Sequence, residues 1–453
     1  MVSPGASRVA GSIVRAVALP VRHWRILCLT LLVVGAASPQ GPNSAANILD
    51  PNASYFGVWS TRVGIFNLWE LAFAPLAVIW AVRRLSTPGR ESSFDRPLLV
   101  AAGALVIFQP LALAIAGDDV QFLLFDMERV LVPIAAYAIV TRCSGNLAGL
   151  RAFLLVVAAA ITARAAELIV LGGFGSNTNF GTATGRHAIL ITEDSLLLAL
   201  PLMLAWGALV DGRLKLPAKI ATGLFAAAVL IVDLVSLRRG PFLFISSGLL
   251  LRSLAGPRWI LRRALPAAVA VVVGFALLGP HGGVAKDLRY VASSATLQSK
   301  DESSSQRTAE LKNFVRNLHG GDWAIGRGLG TIWRAEVQSP VDAASYGSRE
   351  TVYVRIGWHV YGLDWAYKFG LLGILILLGT AVVLARRLAR PVRAAGGWVR
   401  SYALSLAVCL AAFVPFAFTG IRIGMMAGLV LGALSRLVDL SPARDSPASP
   451  PAG

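Results

Sequence analysis

Charge is scarce in this sequence. Asp, Glu, Lys and Arg together make up 15% of its 453 residues, well below the ~25% usual in soluble domains. Acidic residues are the scarcer sign, 24 against 42 Lys and Arg. Cysteine is almost missing: Cys28, Cys143 and Cys409 each lie in or beside an apolar run and form no CxxC. A disulfide framework and a thiolate metal site are therefore not encoded. No internal repeat stands out, and no nucleotide-binding βαβ unit is present. With so few charges, a soluble globular enzyme and a disordered chain are both excluded.

What the chain has instead is apolar surface. The residues AVILMFWYC make up 56% of it, and the mean hydropathy is +0.66. They gather into runs near the ~20 residues needed to cross a bilayer. The first run, 26–37, follows Arg8, Arg15, Arg22 and Arg25. Ala36-Ala37-Ser38 resembles a leader cleavage site, so a removed signal peptide stands beside a retained first helix; both send the following residues outward. Further spans are expected at 63–82, 97–117, 120–141, 152–173, 188–209, 218–237, 241–255, 264–280, 363–385, 401–419 and 421–438. The expected fold is an all-α polytopic membrane protein of about twelve transmembrane helices.

Orientation follows from Lys and Arg. The expected cytoplasmic segments hold 24 of them and the short outer segments 6, which places both termini in the cytoplasm. The net charge of +18 thus has a topological cause and calls for no nucleic acid. Residues 1–280 carry the first nine spans, 281–358 form one large extracytoplasmic loop, 359–440 carry the last three spans, and 441–453 form a Pro- and Ser-rich disordered tail. Within the loop a polar run, 299–307, precedes an amphipathic helix at 308–318. Gly326, Gly328 and Gly330 then read as turn geometry rather than a phosphate cradle, since no strand clearly precedes them.

Ionisable residues in or near spans are expensive and face a partner or a cavity. Asp126, Glu128 and Arg129 open the fourth span, Glu193 and Asp194 lie in the sixth with Arg186 before it, and Arg422 starts the last. Asp364 with Lys368, and Arg164 with Glu167, have spacings that allow mutual neutralisation on one helical face. Arg238 and Arg239 differ. They stand together on a turn before Gly240-Pro241 at an outer helix end, against the positive-inside preference. Guanidinium forks suit phosphate oxygens, which points to a lipid-linked phosphate or diphosphate; anchoring to headgroups is the plainer alternative. His359 follows the long loop in Gly357-Trp-His-Val-Tyr-Gly-Leu-Asp-Trp365, among Trp358, Tyr361, Trp365 and Tyr367. Such rings serve as an interfacial belt or as platforms for sugar faces, and a neutral imidazole accepts a proton from a hydroxyl.

His359 with Gly370 and Gly373 resembles the His-x10-Gly-x2-Gly signature of the O-antigen ligase-like family, which includes O-antigen polymerases and bacterial protein O-oligosaccharyltransferases. Val360 stands where that family more often has Asn, Ser or Gln. Ser236-Leu-Arg-Arg-Gly240 resembles the family's Ser-Arg-Gly segment, and 306–313 followed by Gly326-Arg-Gly-Leu-Gly330 resembles its Arg-led loop helix and glycine turn. Thr192-Glu-Asp-Ser195 is a weaker match to an Asp-Pro-Asn segment.

The resemblance implies an inverting, metal-independent transferase in a bacterial inner membrane, with its active site on the extracytoplasmic face and no cofactor. It implies a glycan donor on undecaprenyl diphosphate and an acceptor hydroxyl on a lipid, polysaccharide or protein. Arg239 and Arg307, with Arg238, would hold the diphosphate and His359 would act on the acceptor. Arg186 and Arg422 are further anion-site candidates; Trp358, Tyr361 and Trp365 are candidate sugar contacts. Two rival readings are a metal-dependent polyprenyl-phosphate-sugar transferase using Asp118-Asp119 or Asp50, and a transporter of polysaccharide or lipid.

Overall fold

The computed structural model describes residues 25–37, 62–63, 66–86, 92, 94–107, 120–172, 192–211, 214–235, 245, 248–250, 252, 302–331, 333–335, 353–355, 363–394, 397–417 and 420–440. Helix dominates them. The elements are α1 (Arg25–Ala37), α2 (Leu68–Ser86), α3 (Asp95–Ile107), α4 (Val120–Cys143), α5 (Leu147–Gly172), α6 (Thr192–Leu197), α7 (Ala199–Asp211) and α8 (Leu216–Val235). There follow α9 (Glu302–Asn317), α10 (Asp322–Ile325), α11 (Leu363–Ala394), α12 (Gly397–Phe413) and α13 (Ile421–Leu440). Two antiparallel pairings complete the set: β1 (Arg62–Val63) with β2 (Phe66–Asn67), and β3 (Trp333–Ala335) with β4 (Tyr353–Arg355). Among the described residues, five helical stretches are long and apolar enough to cross a membrane, beginning at Leu147, Glu193, Leu363, Gly397 and Ile421. The multi-pass character read from hydropathy is present in the fold. The span expected at 264–280 and the tail 441–453 lie outside the described residues.

Several boundaries differ from the expectation for local reasons. Within the stretch read as 188–209, the helix is interrupted at Leu198. Pro201 has no N–H to offer the carbonyl four residues back, so the first turn of α7 starts afresh there. The basic stretch 386–400, expected as a loop, is mostly helix: α11 runs on through Arg386, Arg387 and Arg393. Arg and Ala are good helix formers, and at 1.5 Å per residue a helix this long extends beyond a ~30 Å hydrocarbon core. In the loop, α9 is already helical at Glu302, ahead of the expected start at 308.

The seam between α4 and α13 is built on glycine. Gly424, Gly428 and Gly432 recur every four residues and form a small-residue stripe, along which helix backbones approach closely, while Gly420, just before α13, faces Glu193 of α6. A Cβ on Gly424 would lie 3.2 Å from Pro133 Cγ, and one on Gly428 would lie 2.7 Å from the Pro133 carbonyl carbon. A Cβ on Gly432 would lie 3.0 Å from the Tyr137 carbonyl oxygen. The two helices therefore run parallel, in contact along their length. The α7–α12 seam is antiparallel: Ser401 Oγ donates to the Gly207 carbonyl at 2.7 Å, and eight residues on Cys409 Sγ donates to that of Ala199 at 3.5 Å.

Polar contacts mark the two ends of this bundle. At one end Tyr137 donates to Asp95 at 2.6 Å, Ser92 touches Ser435 and donates to Asp439 at 2.7 Å, and Arg436 donates to the Ser144 carbonyl at 2.8 Å. Arg252 donates to Ser401 at 2.7 Å near the same end. At the other end Arg422 joins α13 to α6 and α1, Ser195 donates to Asp233 and so joins α6 to α8, and Lys368 joins α11 to α4. The alternation of helix direction expected from hydropathy is consistent with every one of these pairings. α1 is integral to the bundle: Cys28, Leu32 and Ala36 are buried at four-residue intervals, and the Ala36 carbonyl accepts from Arg422 at 2.9 Å.

The glycine stripe makes a contrast that can be measured. Gly428→Leu drives a side chain into the Pro133 backbone and is expected to cost about 3 kcal/mol, the upper end for overpacking. Gly379→Ala, where an added Cβ meets nothing within 4 Å, is expected to be neutral or to stabilise by up to ~1 kcal/mol through helix propensity. Thermal unfolding of the two purified variants in detergent checks the difference.

Candidate functional site

The loop segment 302–331 is seated on the end of the bundle where the buried ion pairs lie. α9 presents one face to its surroundings. Ala309, Glu310, Asn313, Phe314, Asn317 and Leu318 are buried, at the three- and four-residue spacing of a helix side. Phe314 and Leu318 pack with Tyr367, Leu363 and Ala366 of α11. Trp323 of α10 meets the Phe314 ring edge to face at 5.8 Å. Asn317 closes α9 by donating to the Asn313 carbonyl at 2.8 Å, and Gly320, with φ +50°, turns the chain away.

The glycine turn then docks on α11 through its backbone. Gly326, Gly328 and Gly330 have φ of +76°, +89° and +84°, a region that side chains other than glycine rarely adopt. The turn reading of these glycines is therefore the observed one. Arg327 N–H donates to the Tyr367 carbonyl at 2.8 Å and Gly328 N–H to that of Lys368 at 3.0 Å. Those carbonyls are free to accept because α11 is broken just beyond them: Gly370, at φ +62° and ψ −168°, divides it into a short first segment and the long span. A Cβ on Gly370 would lie 2.6 Å from the Ala324 carbonyl oxygen, and one on Gly326 would lie 2.5 Å from Phe369 N. Two backbones meet here with no room for side chains. Gly373, one turn on, leaves space for the Phe369 ring and Leu105.

Behind the turn lies a buried ion pair. Lys368 Nζ is 2.6 Å from Asp126 Oδ2, with the two side chains 1% and 0% exposed. The same carboxylate oxygen accepts from Gly330 N–H at 2.7 Å, and the ammonium also donates to the Thr331 carbonyl. The helix spacing had suggested that Lys368 neutralises Asp364. The structure corrects this: Lys368 turns to α4, where Asp126 already faces the loop backbone. Arg164 and Glu167 do form the pair their spacing suggested, at 2.7 Å. Leu329 and Phe369 bury together against Leu105, Leu123, Val130 and Trp365.

Of the nine candidate catalytic and substrate-binding residues named from the sequence, three fall within the described part. Arg307 is half-buried on α9, one turn ahead of Glu310 on the inward face. Trp365 is half-buried; its ring lies 5.4 Å from that of Phe369 in the cluster under the turn, so core packing accounts for its position. Arg422 is 1% exposed, and its guanidinium is engaged by Asp194 at 2.8 Å and by the Ala36 carbonyl. Arg129 and Arg422 both act electrostatically on neighbouring Glu193, so this end of the bundle holds two guanidinium groups among carboxylates. His359, Arg239, Arg238, Arg186, Trp358 and Tyr361 lie outside the described residues. Sequence reasoning missed the part played by Asp126 and Lys368 together; two opposite charges at matching depth in separate spans were the available signal.

No cluster of His, Cys, Asp and Glu suited to a metal occurs among the described residues. No protein-family model matches this chain, and no curated protein matches it.

Arg422 and Asp194 give a direct test of the buried charges. Arg422→Met leaves Asp194 without its cation and is expected to lower stability by about 3–5 kcal/mol. Adding Asp194→Leu removes the stranded charge and is expected to recover most of the loss, as read by thermal unfolding of the single and double variants.

Proposed function

We propose that this protein is a membrane glycosyltransferase of the O-antigen ligase or polymerase type. It would transfer a glycan from an undecaprenyl diphosphate carrier to an acceptor hydroxyl on the extracytoplasmic face of a bacterial inner membrane. The observation that carries the reading is the seating of the 326–330 turn on the 367–370 segment. The two stretches are about forty residues apart in sequence, and each belongs to a different motif behind the family resemblance. Their glycines pack back to back, which gives the glycine spacing in both motifs a physical reason: each glycine is needed by the other.

The described residues on either side of His359 in the chain belong to this same assembly. Four residues before it, Arg355 pairs with Trp333, two residues past Thr331. Four residues after it, Leu363 packs on the Phe314 and Tyr367 cluster. Arg307 lies on the helix whose inward face makes that cluster. The twelve-span layout, cytoplasmic termini and outward-facing loop complete the proposal, and they rest on the distribution of Lys and Arg.

In the proposed reaction Arg238, Arg239 and Arg307 hold the diphosphate of the donor. His359 orients the acceptor hydroxyl and takes its proton as the oxygen attacks the anomeric carbon. The bond from that carbon to the diphosphate oxygen breaks, and the arginines stabilise the negative charge that develops there. Inversion follows from attack on the face opposite the leaving group. Because guanidinium groups neutralise the leaving group, no divalent ion is required.

His359→Ala and Arg239→Ala are each expected to lower glycan transfer by about 10²–10³-fold, by analogy with loss of a donor to a developing oxyanion. Transfer by the unaltered protein is expected to persist in EDTA. The assay is transfer from a polyprenyl-diphosphate-linked glycan in reconstituted vesicles. Near-normal transfer by both variants, or activity lost in EDTA and restored by Mg²⁺, would overturn the proposal.

A further inference from the structure

We infer that Asp126 and Lys368 are positioning residues that latch the loop segment onto the membrane helices. The inference rests on the proposed function only in what the latch is for. The geometry itself is independent of it. Asp126 sits seven residues into α4 and Lys368 six into α11, and the pair is closed from above by the loop: Gly330 N–H on the carboxylate and the Thr331 carbonyl on the ammonium. Each charge thus satisfies one helix partner and one loop backbone group at once. A buried ion pair joined only helix to helix would leave the loop free to leave. Here lifting the loop would strip a donor from Asp126 and an acceptor from Lys368, both in an environment with almost no exposure to water.

Three further features make the seating unique rather than merely adhesive. The positive-φ glycines let the two backbones meet at one register only, because shifting the turn by a residue would bring a Cβ against Lys368 or Leu123. Leu329 inserts beside Phe369, Leu105 and Leu123. Arg327 and Gly328 N–H groups take the carbonyls left open above the Gly370 break. The ion pair supplies specificity of place, as buried polar pairs do when they set register. Its consequence in the proposed enzyme is to hold α9, with Arg307, at a fixed position against the start of α11, to which His359 leads.

The test separates seating from transfer. In the full-length protein in membrane vesicles, with the three native cysteines replaced by serine, Leu123→Cys with Leu329→Cys reports the seat through copper-phenanthroline crosslinking. Ser92→Cys with Ser435→Cys, at the opposite end, reports the bundle. Lys368→Met is expected to lower the Leu123–Leu329 crosslink at least about 5-fold, leave the Ser92–Ser435 crosslink unchanged, and lower transfer in parallel. Asp126→Asn combined with Lys368→Met removes both charges while keeping an acceptor for Gly330 N–H, and is expected to restore crosslink and transfer together. A crosslink unchanged in Lys368→Met, or a double variant no better than the single, overturns the latch. Transfer unchanged while the crosslink is lost overturns the positioning role. A parent protein that transfers no glycan overturns the proposed function, and the crosslink arm still decides the latch.

Discussion

An ionised group inside a bundle of apolar helices has no water to turn to, so its position is dictated by where a partner of opposite sign can be placed. The Lys368–Asp126 and Arg422–Asp194 contacts are the clearest products of that constraint, with all four side chains at most 6% exposed. Each links helices distant in sequence, and both lie at the same end of the bundle. The opposite end is held mainly by hydroxyls, Tyr137, Ser92, Ser401 and Ser435, with Asp95, Asp439 and the arginines of the helix termini. Both ion pairs lie at the end that receives the loop. Hydrophobic replacement of a buried pair is often neutral or stabilising, so stability alone is a weak reason to keep them; fixing where a soluble segment meets the membrane helices is a stronger one.

Glycine is the complement of that constraint. Charged groups can pair across an interface only if the backbones behind them come close. The stripe from Gly424 to Gly432 brings α13 onto the backbone at Pro133 of α4, and Arg422, on the same helix, then reaches α6 and α1. Gly326 and Gly370 do the same for the loop, where an added Cβ on either would strike the other's backbone neighbourhood. Positive φ at both leaves almost no other residue able to hold the conformation. In each case a run of small residues sets the distance and a buried ion pair sets the register.

Much of the helical layout was legible in the sequence because lipid imposes a single strong rule, that backbone polar groups be satisfied within each span, and hydropathy reports it directly. Boundaries were less legible where another effect competes. Leu198 interrupts a continuous apolar run because of a proline three residues on, and Arg386 to Arg393 continue a helix although their charge marks them as outside the hydrocarbon. Pairing was the least legible. Local spacing assigned Lys368 to Asp364, four residues away, as it had correctly assigned Arg164 to Glu167 on an exposed face. The difference is burial: on an exposed face local spacing governs, whereas in the interior the partner comes from whichever helix lies opposite, and one-dimensional spacing carries no information about that. The four-residue recurrence of glycine in α13 is visible in the sequence itself; its partner, Pro133, is not.

The way the loop is attached also bears on what its side chains are left to do. The turn is held by backbone N–H groups of Arg327, Gly328 and Gly330, by a backbone carbonyl of Thr331 and by the single apolar side chain of Leu329. Seating of the turn therefore draws mainly on main chain. Arg327 illustrates this: its own N–H anchors the turn, while its half-buried guanidinium is steadied by longer contacts, 3.4 Å to the Asn317 carbonyl and to the Tyr367 hydroxyl and 3.8 Å to Asp322. Under the proposed function, a surface that grips a charged lipid-linked donor and then releases it needs cations that are oriented but not neutralised within the core. Arg422 fails that requirement, since Asp194 and the Ala36 carbonyl already engage it. Guanidinium groups on a segment fixed through its backbone meet it, so the loop, rather than the buried end of α13, is where the anion-binding face of the proposed enzyme is expected.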